Sequence, residues 1–285
     1  MSTGASMSAS RSKNDLPSRL VTCVSPCCAT RGLTIVQQCN PQLERDILLR
    51  ALRTDSLWSP HLMCAFQTST HLNLVMDYIE GGTLWDVLES TPLERIREVD
   101  LRWWLPQVIS AIAWCHSQGF VHRHVPSYSL LVIMLIFSRS DVKPHNFVLD
   151  HTAHVRLIDF GSAAPLVPGS RLVPPEYCRV PCGTCDYISP EILQAHESAL
   201  VAMEMSAGEA DEGETDMGEG GYGVETDWWS TGAMIYEMVY GVAPFFARDI
   251  RSTYLKIIDF RTSLTFHVNV PVSTELRDLL IQYVG

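Results

Sequence analysis

Two short polar runs constrain this chain more than anything else in it: Asp141-Val142-Lys143-Pro144-His145-Asn146, then Asp159-Phe160-Gly161, with the apolar Phe147-Val148-Leu149 and Val155-Arg156-Leu157-Ile158 between them. They supply two carboxylates, an amide and a lysine at the spacing that phosphoryl transfer uses. Moving a γ-phosphoryl group asks little covalent chemistry of a protein. It needs a carboxylate to orient the attacking hydroxyl and oxygen ligands that hold Mg²⁺ against a triphosphate. Asp141 reads as the orienting base and Lys143 as the group that neutralises charge on the phosphoryl, while Asn146 and Asp159 read as metal ligands. The alternative, two unrelated polar turns flanking a hairpin, leaves their order and spacing unexplained.

Three further blocks extend the pattern: Leu74-Val75-Met76-Asp77-Tyr78-Ile79-Glu80-Gly81-Gly82, Cys182-Gly183-Thr184-Cys185-Asp186-Tyr187-Ile188-Ser189-Pro190-Glu191-Ile192-Leu193, and Asp227-Trp228-Trp229-Ser230 through Tyr240-Gly241-Val242-Ala243-Pro244-Phe245-Phe246. Over about residues 33–285 the chain resembles the eukaryotic Ser/Thr protein kinases of the AGC group, in the myotonic-dystrophy-kinase and Rho-kinase branch. The resemblance implies an α+β, two-lobed protein-kinase-like fold, with an incomplete N-terminal β lobe (33–80) and a mainly helical C lobe (81–285). It also implies ATP and Mg²⁺ as cofactors and a protein Ser/Thr hydroxyl as acceptor. Met76 would guard the back of the nucleotide pocket. Asp77 to Ile79 would be the hinge whose backbone carbonyl and amide pair with adenine. Glu44 stands where the family keeps the helix glutamate that pairs with an ATP-binding lysine, and Thr184 belongs to the loop that meets the substrate hydroxyl residue.

A chain of 285 residues with 46% apolar content can bury one large core or two lobes. No apolar run reaches the ~18 residues of a membrane span, and Met1 to Ser18 lacks the apolar centre of a secretory signal, so the expectation is an intracellular, cytoplasmic protein. The nine cysteines then read as reduced thiols. Cys178, Cys182 and Cys185 include a CxxC metal spacing, but no second pair follows, and zinc is not expected. The formal charge of −11 is concentrated in residues 203–220, where Glu204, Glu209, Asp211, Glu212, Glu214, Asp216 and Glu219 stand with no Lys or Arg. That stretch reads as a solvated loop, or alternatively an acidic docking tail. The near-neutral remainder argues against nucleic acid as a partner. Regulatory partners leave no mark in these residues.

Leu43, Ile47, Leu48, Ala51 and Leu52 predict a helix from Pro41 to Leu52, and Leu101, Trp104, Leu105, Val108, Ile109, Ile112 and Cys115 predict one from Asp100 to Gly119. Phe66-Gln67 and Leu72 to Tyr78 read as a strand pair. Two more helices are expected, one after Asp227 and one over Ile250 to Ile258. Residues 1–32 show no periodicity and are expected to carry no ordered structure, or to be misassigned.

Two departures bear on activity. Seventeen residues, 124–140, separate His122-Arg123 from Asp141, and they include eight consecutive apolar residues, Leu130 to Phe137. Closing such a loop costs only about 2.5 kcal/mol. Its composition is the stronger objection, because a free apolar run invites aggregation. Removing it joins His122-Arg123 to Asp141, so it reads as an untranslated segment kept in the coding sequence. Second, the glycine-rich loop and strand lysine that would cover and anchor the phosphates are missing: before Glu44 there are only Gly4, Gly32 and Lys13. The expected function is therefore a Ser/Thr protein kinase, impaired as written. The alternatives are a pseudokinase or scaffold, or an unrelated phosphate-handling enzyme that would leave the kinase blocks unexplained.

Overall fold

The structure, a computed structural model, describes residues 19–24, 40–68, 72–91, 94–123, 144–178, 185–195, 197 and 221–284. Asp141, Lys143, Thr184, the 124–140 insert and the acidic stretch 203–220 lie outside them.

Among the described residues, the smaller lobe is a three-stranded antiparallel sheet with one helix. β2 (Leu62–Gln67) and β3 (Leu72–Asp77) form the expected pair, with β2 starting earlier than Phe66. On the other edge of β3 lies β1 (Arg19–Val24), giving the order β1-β3-β2, with Arg19 opposite Asp77 and Val24 opposite Leu72. This corrects the reading of residues 1–32 as wholly without ordered structure. Arg-Leu-Val-Thr-Cys-Val is a six-residue stretch rich in β-branched side chains, enough for one strand when a neighbour supplies the ladder, yet too short to stand out from its Ser-rich surroundings. β1 carries no lysine.

α1 (Pro41–Arg53) starts where Asn40 accepts from the Leu43 N–H at 3.0 Å and Pro41 takes the first helical position, and it ends in Arg50 and Arg53. Its buried residues, Glu44, Ile47, Leu48 and Ala51, follow the three-and-four spacing of a helix with one face inward. The connection to the larger lobe runs through Gly81-Gly82. A β-carbon on Gly81 would stand 2.5 Å from the Leu149 carbonyl oxygen, and Gly82 has φ +77°, so the crossing is built for residues without side chains.

In the larger lobe α2 (Leu84–Ser90) opens with a reciprocal Thr83–Asp86 cap. α3 (Glu98–Ser117) buries Leu101, Val108, Ala111, Ile112 and Cys115, and Gly119, at φ +85°, follows its end. The chain then makes β4 (Phe120–Val121), a 3-10 turn at Pro144–Asn146, the hairpin β5 (Phe147–Leu149) and β6 (Val155–Leu157), and β7 (Ala164–Pro165), which pairs with β4. Residues 190–195 are helical. α4 (Glu225–Tyr240) is almost entirely buried and forms the centre of the lobe. Around it stand α5 (Ile250–Ile258), the short α6 (Phe260–Ser263) and α7 (Thr274–Val284), which turns Leu276, Leu280 and Val284 inward. The two-lobed α+β architecture expected from the sequence is the one observed. Among the described residues no helix is long and apolar enough to cross a membrane.

Candidate active site

The hairpin β5–β6 holds Asn146 and the Asp159 loop together. Asn146 is buried at its start, and its carbonyl accepts the Ile158 N–H at 2.9 Å, which ties it to the residue before Asp159. Asp159 has φ +63°, uncommon for a residue with a side chain, and Phe160 behind it is fully buried in edge contact with His122 at 5.2 Å between ring centres. The Gly161 carbonyl accepts from the Asn40 N–H at 2.9 Å, so the loop is joined to the cap of α1.

That join brings Glu44 to the loop. Both the Glu44 and Asp159 carboxylates lie within 4 Å of where a β-carbon on Gly161 would sit. Burial, then the charge of Asp159, push the Glu44 carboxyl up to about 7, against the opposing hydrogen bond from the Phe160 N–H. Among the described residues no Lys or Arg forms an ion pair with it. Among the described residues the glutamate expected to meet a lysine thus faces the Asp159-Phe160-Gly161 loop.

Met76 is buried in β3, and Ile79 lies half-buried just past its end. Asp77 is fixed from the β2 side: its N–H donates to the His61 carbonyl at 3.2 Å, and its carboxylate accepts from the His61 N–H at 3.0 Å.

The turn His122-Arg123, immediately upstream of the insert, is held from below. The buried Asp227 carboxylate of α4 accepts from the His122 N–H, the Arg123 N–H and His116 Nε2, each at 2.8 Å. Burial works to raise the Asp227 pKa, but the hydrogen bond and charge of His116, with those of His122, hold it below the usual carboxylate value. In the sequence Asp227 stands in a motif block with no role of its own. The signal that could have found it is a lone carboxylate heading so apolar a helix, since a buried Asp almost always has partners.

A second acidic group leaves no mark in the sequence. Glu237 of α4 is 7% exposed, and its Oε2 has no hydrogen-bond partner among the described residues. Burial, then the charges of Asp186 and Glu94, push its carboxyl up to about 8, and burial raises Asp186 to about 6. No Lys or Arg among the described residues is paired with either.

Residues 57–133 and 134–284 match the protein kinase domain. This chain belongs to the protein kinase family. The kinase domain is 36% identical over 238 residues to mouse serine/threonine-protein kinase MRCK alpha, covering 83% of this chain and 11% of that protein. It is also 36% identical over 238 residues to mouse myotonin-protein kinase (83% and 31%), and 32% identical over 241 residues to rabbit Rho-associated protein kinase 1 (85% and 14%). These are AGC Ser/Thr kinases of the myotonic-dystrophy-kinase and Rho-kinase branch, as the motifs implied. The chain spans about a tenth to a third of the length of the curated relatives it matches.

Proposed function

We propose that this kinase domain transfers the γ-phosphoryl group of ATP to a Ser or Thr hydroxyl of a protein, and that the step is impaired in the chain as written. The observation that carries the reading is the meeting of Asn146, Asp159 and Glu44 at one loop, beside a catalytic-arm turn anchored on Asp227. The donors are oxygens, and the like-charged pair Glu44 and Asp159 has no cation partner among the described residues. Such a set fits a hard divalent cation. Asn146 and Asp159 would hold Mg²⁺, which when bound supplies neutralising charge to the triphosphate. Met76, Asp77 and Ile79 would border the adenine, Asp141 would orient the hydroxyl, Lys143 would stabilise the transferring phosphoryl, and Thr184 would meet the acceptor residue.

The Glu237–Asp186–Glu94 group supports a substrate preference. Two desolvated carboxylates without a counter-charge among the described residues favour a cationic guest, and Asp186 lies in the same block as Thr184. A substrate Arg or Lys beside the acceptor hydroxyl would supply that charge. A catalytically silent scaffold is the second reading, favoured by the absence of a lysine beside Glu44 among the described residues. The test is ATP binding by the full chain with and without Mg²⁺. Asp159→Ala should abolish the Mg²⁺-dependent part; binding that keeps its Mg²⁺ dependence in the variant would overturn the site assignment.

A further inference from the structure

Arg123 carries a buried cation that donates to neutral oxygens on two sides. Its Nε donates to the Ser162 carbonyl at 2.7 Å, its Nη2 to the Ala163 carbonyl at 3.3 Å, and its Nη1 both to the Tyr177 carbonyl at 2.8 Å and to the Tyr222 hydroxyl at 3.2 Å. The guanidinium also lies over the Tyr177 ring, 5.8 Å from its centre. Its backbone is left-handed at φ +59°, a conformation that a residue with a side chain keeps only when its surroundings impose it. One end of this network is the turn His122-Arg123, just before the insert, and the other is the segment that follows Asp159-Phe160-Gly161.

Tyr222 closes the network. It is wholly buried, and its hydroxyl accepts from Arg123 while donating to the same Tyr177 carbonyl at 3.3 Å. Its backbone carbonyl takes the Val173 N–H at 2.9 Å, so the ring cannot drift from the segment it serves. A phenylalanine would fill the same volume without either bond. We infer that Tyr222 is a positioning residue for phosphoryl transfer: through Arg123 its hydroxyl fixes the catalytic-arm turn against Ser162 and Ala163, and hence against the metal loop. The inference rests on the kinase reading of that loop. Hydrogen bonds to a charged donor in a desolvated site are the strong ones, and displacement of a reacting group by about 1 Å can cost on the order of 10²-fold in rate.

The experiment uses the full chain, Tyr222→Phe, Arg123→Lys and the double variant, followed by amide hydrogen exchange, thermal melting and transfer to a basic Ser/Thr peptide. Tyr222→Phe should speed exchange at the Arg123 and Ala163 amides about tenfold, leave α7 amides unchanged, and shift melting by only about 2 °C. In the Arg123→Lys background, which lacks the guanidinium fork, the same change should add almost nothing. Where the chain turns over, kcat should fall about tenfold at constant KM for ATP. Exchange within twofold of the parent at those amides, or an equal effect in both backgrounds, overturns the inference. Amide exchange needs no turnover, so it tests the inference even in a chain without activity. Failure of the kinase reading registers separately, as Mg²⁺-dependent ATP binding indifferent to Asp159→Ala.

Discussion

The ionisable residues of the site pull stability in opposite directions with pH. Asp227 is held below its ordinary value, so its contribution is full above the unfolded pKa and is lost as the solution is acidified through the folded one. Glu237, at about 8, has the reverse sign: below about pH 4.5 it is neutral folded or unfolded and costs nothing, and the penalty for ionising it in the fold grows until about pH 8. Glu44, at about 7, and Asp186, at about 6, act in the same sense. The melting temperature of the chain should therefore decline between about pH 5 and pH 8.5. Glu237→Gln removes the charge and nearly keeps the shape, so at pH 8.5 it should melt higher, by about 2–4 °C for each kcal/mol recovered, and near pH 4.5 it should match the parent. Melting curves at the two pH values check this. A variant that gains nothing at pH 8.5 would mean that a cation or water already satisfies Glu237.

At the scale of elements, the contact of α4 against α7 is sensitive to a single atom. A β-carbon on Gly232 would stand 2.4 Å from the Tyr283 β-carbon and 2.8 Å from a Val284 methyl. A β-carbon cannot swing away as a long side chain can, so Gly232→Ala must push the helices apart. That should cost about 1–3 kcal/mol and lower the melting temperature by about 3–10 °C, while Gly221→Ala, where the nearest atom among the described residues is 3.9 Å off, should change it little. Circular-dichroism melts of the two variants test the difference. The same helices show what was legible beforehand. α1 and α3 were readable because one stripe of apolar residues faces one core, and the proposed metal loop stood out because the chemistry it is assigned needs neighbours in sequence. β1 was not, since six residues gain strand character only from β3, about fifty positions downstream. Nor was the part played by Asp227, whose partners lie 104–111 residues upstream, or the carboxylate group at Glu237, which exists only once Asp186 folds against α4.

Over the whole molecule, the two lobes stand unequally. The larger one has a continuous buried core from α3 through α4 to α7, and its polar centre is organised by Asp227 and Arg123. Among the described residues the smaller one offers three strands and α1, and Glu44 turns toward Asp159 with no lysine on β1 to draw it elsewhere. Between His122-Arg123 and Asp141 lies the apolar insert, in a place where the aim of the proposed base, Asp141, depends on a short backbone. These features give an ordered expectation. The full chain should show no measurable phosphate transfer and poor solubility, because a close-packed lobe has no room for Leu130 to Phe137 and water does not favour them. Deleting residues 124–140 should improve solubility and thermal stability without restoring transfer, since nothing then neutralises and aligns the triphosphate from above. Transfer should return only when the deletion is combined with a glycine-rich loop and a strand lysine supplied upstream, and it should then depend on Asp141. The three proteins, assayed side by side for phosphate incorporation into a basic Ser/Thr peptide, decide the matter. Robust transfer by the unmodified chain, abolished by Asp141→Ala, would show that the insert is tolerated and that the nucleotide is held by residues other than a lysine-bearing strand.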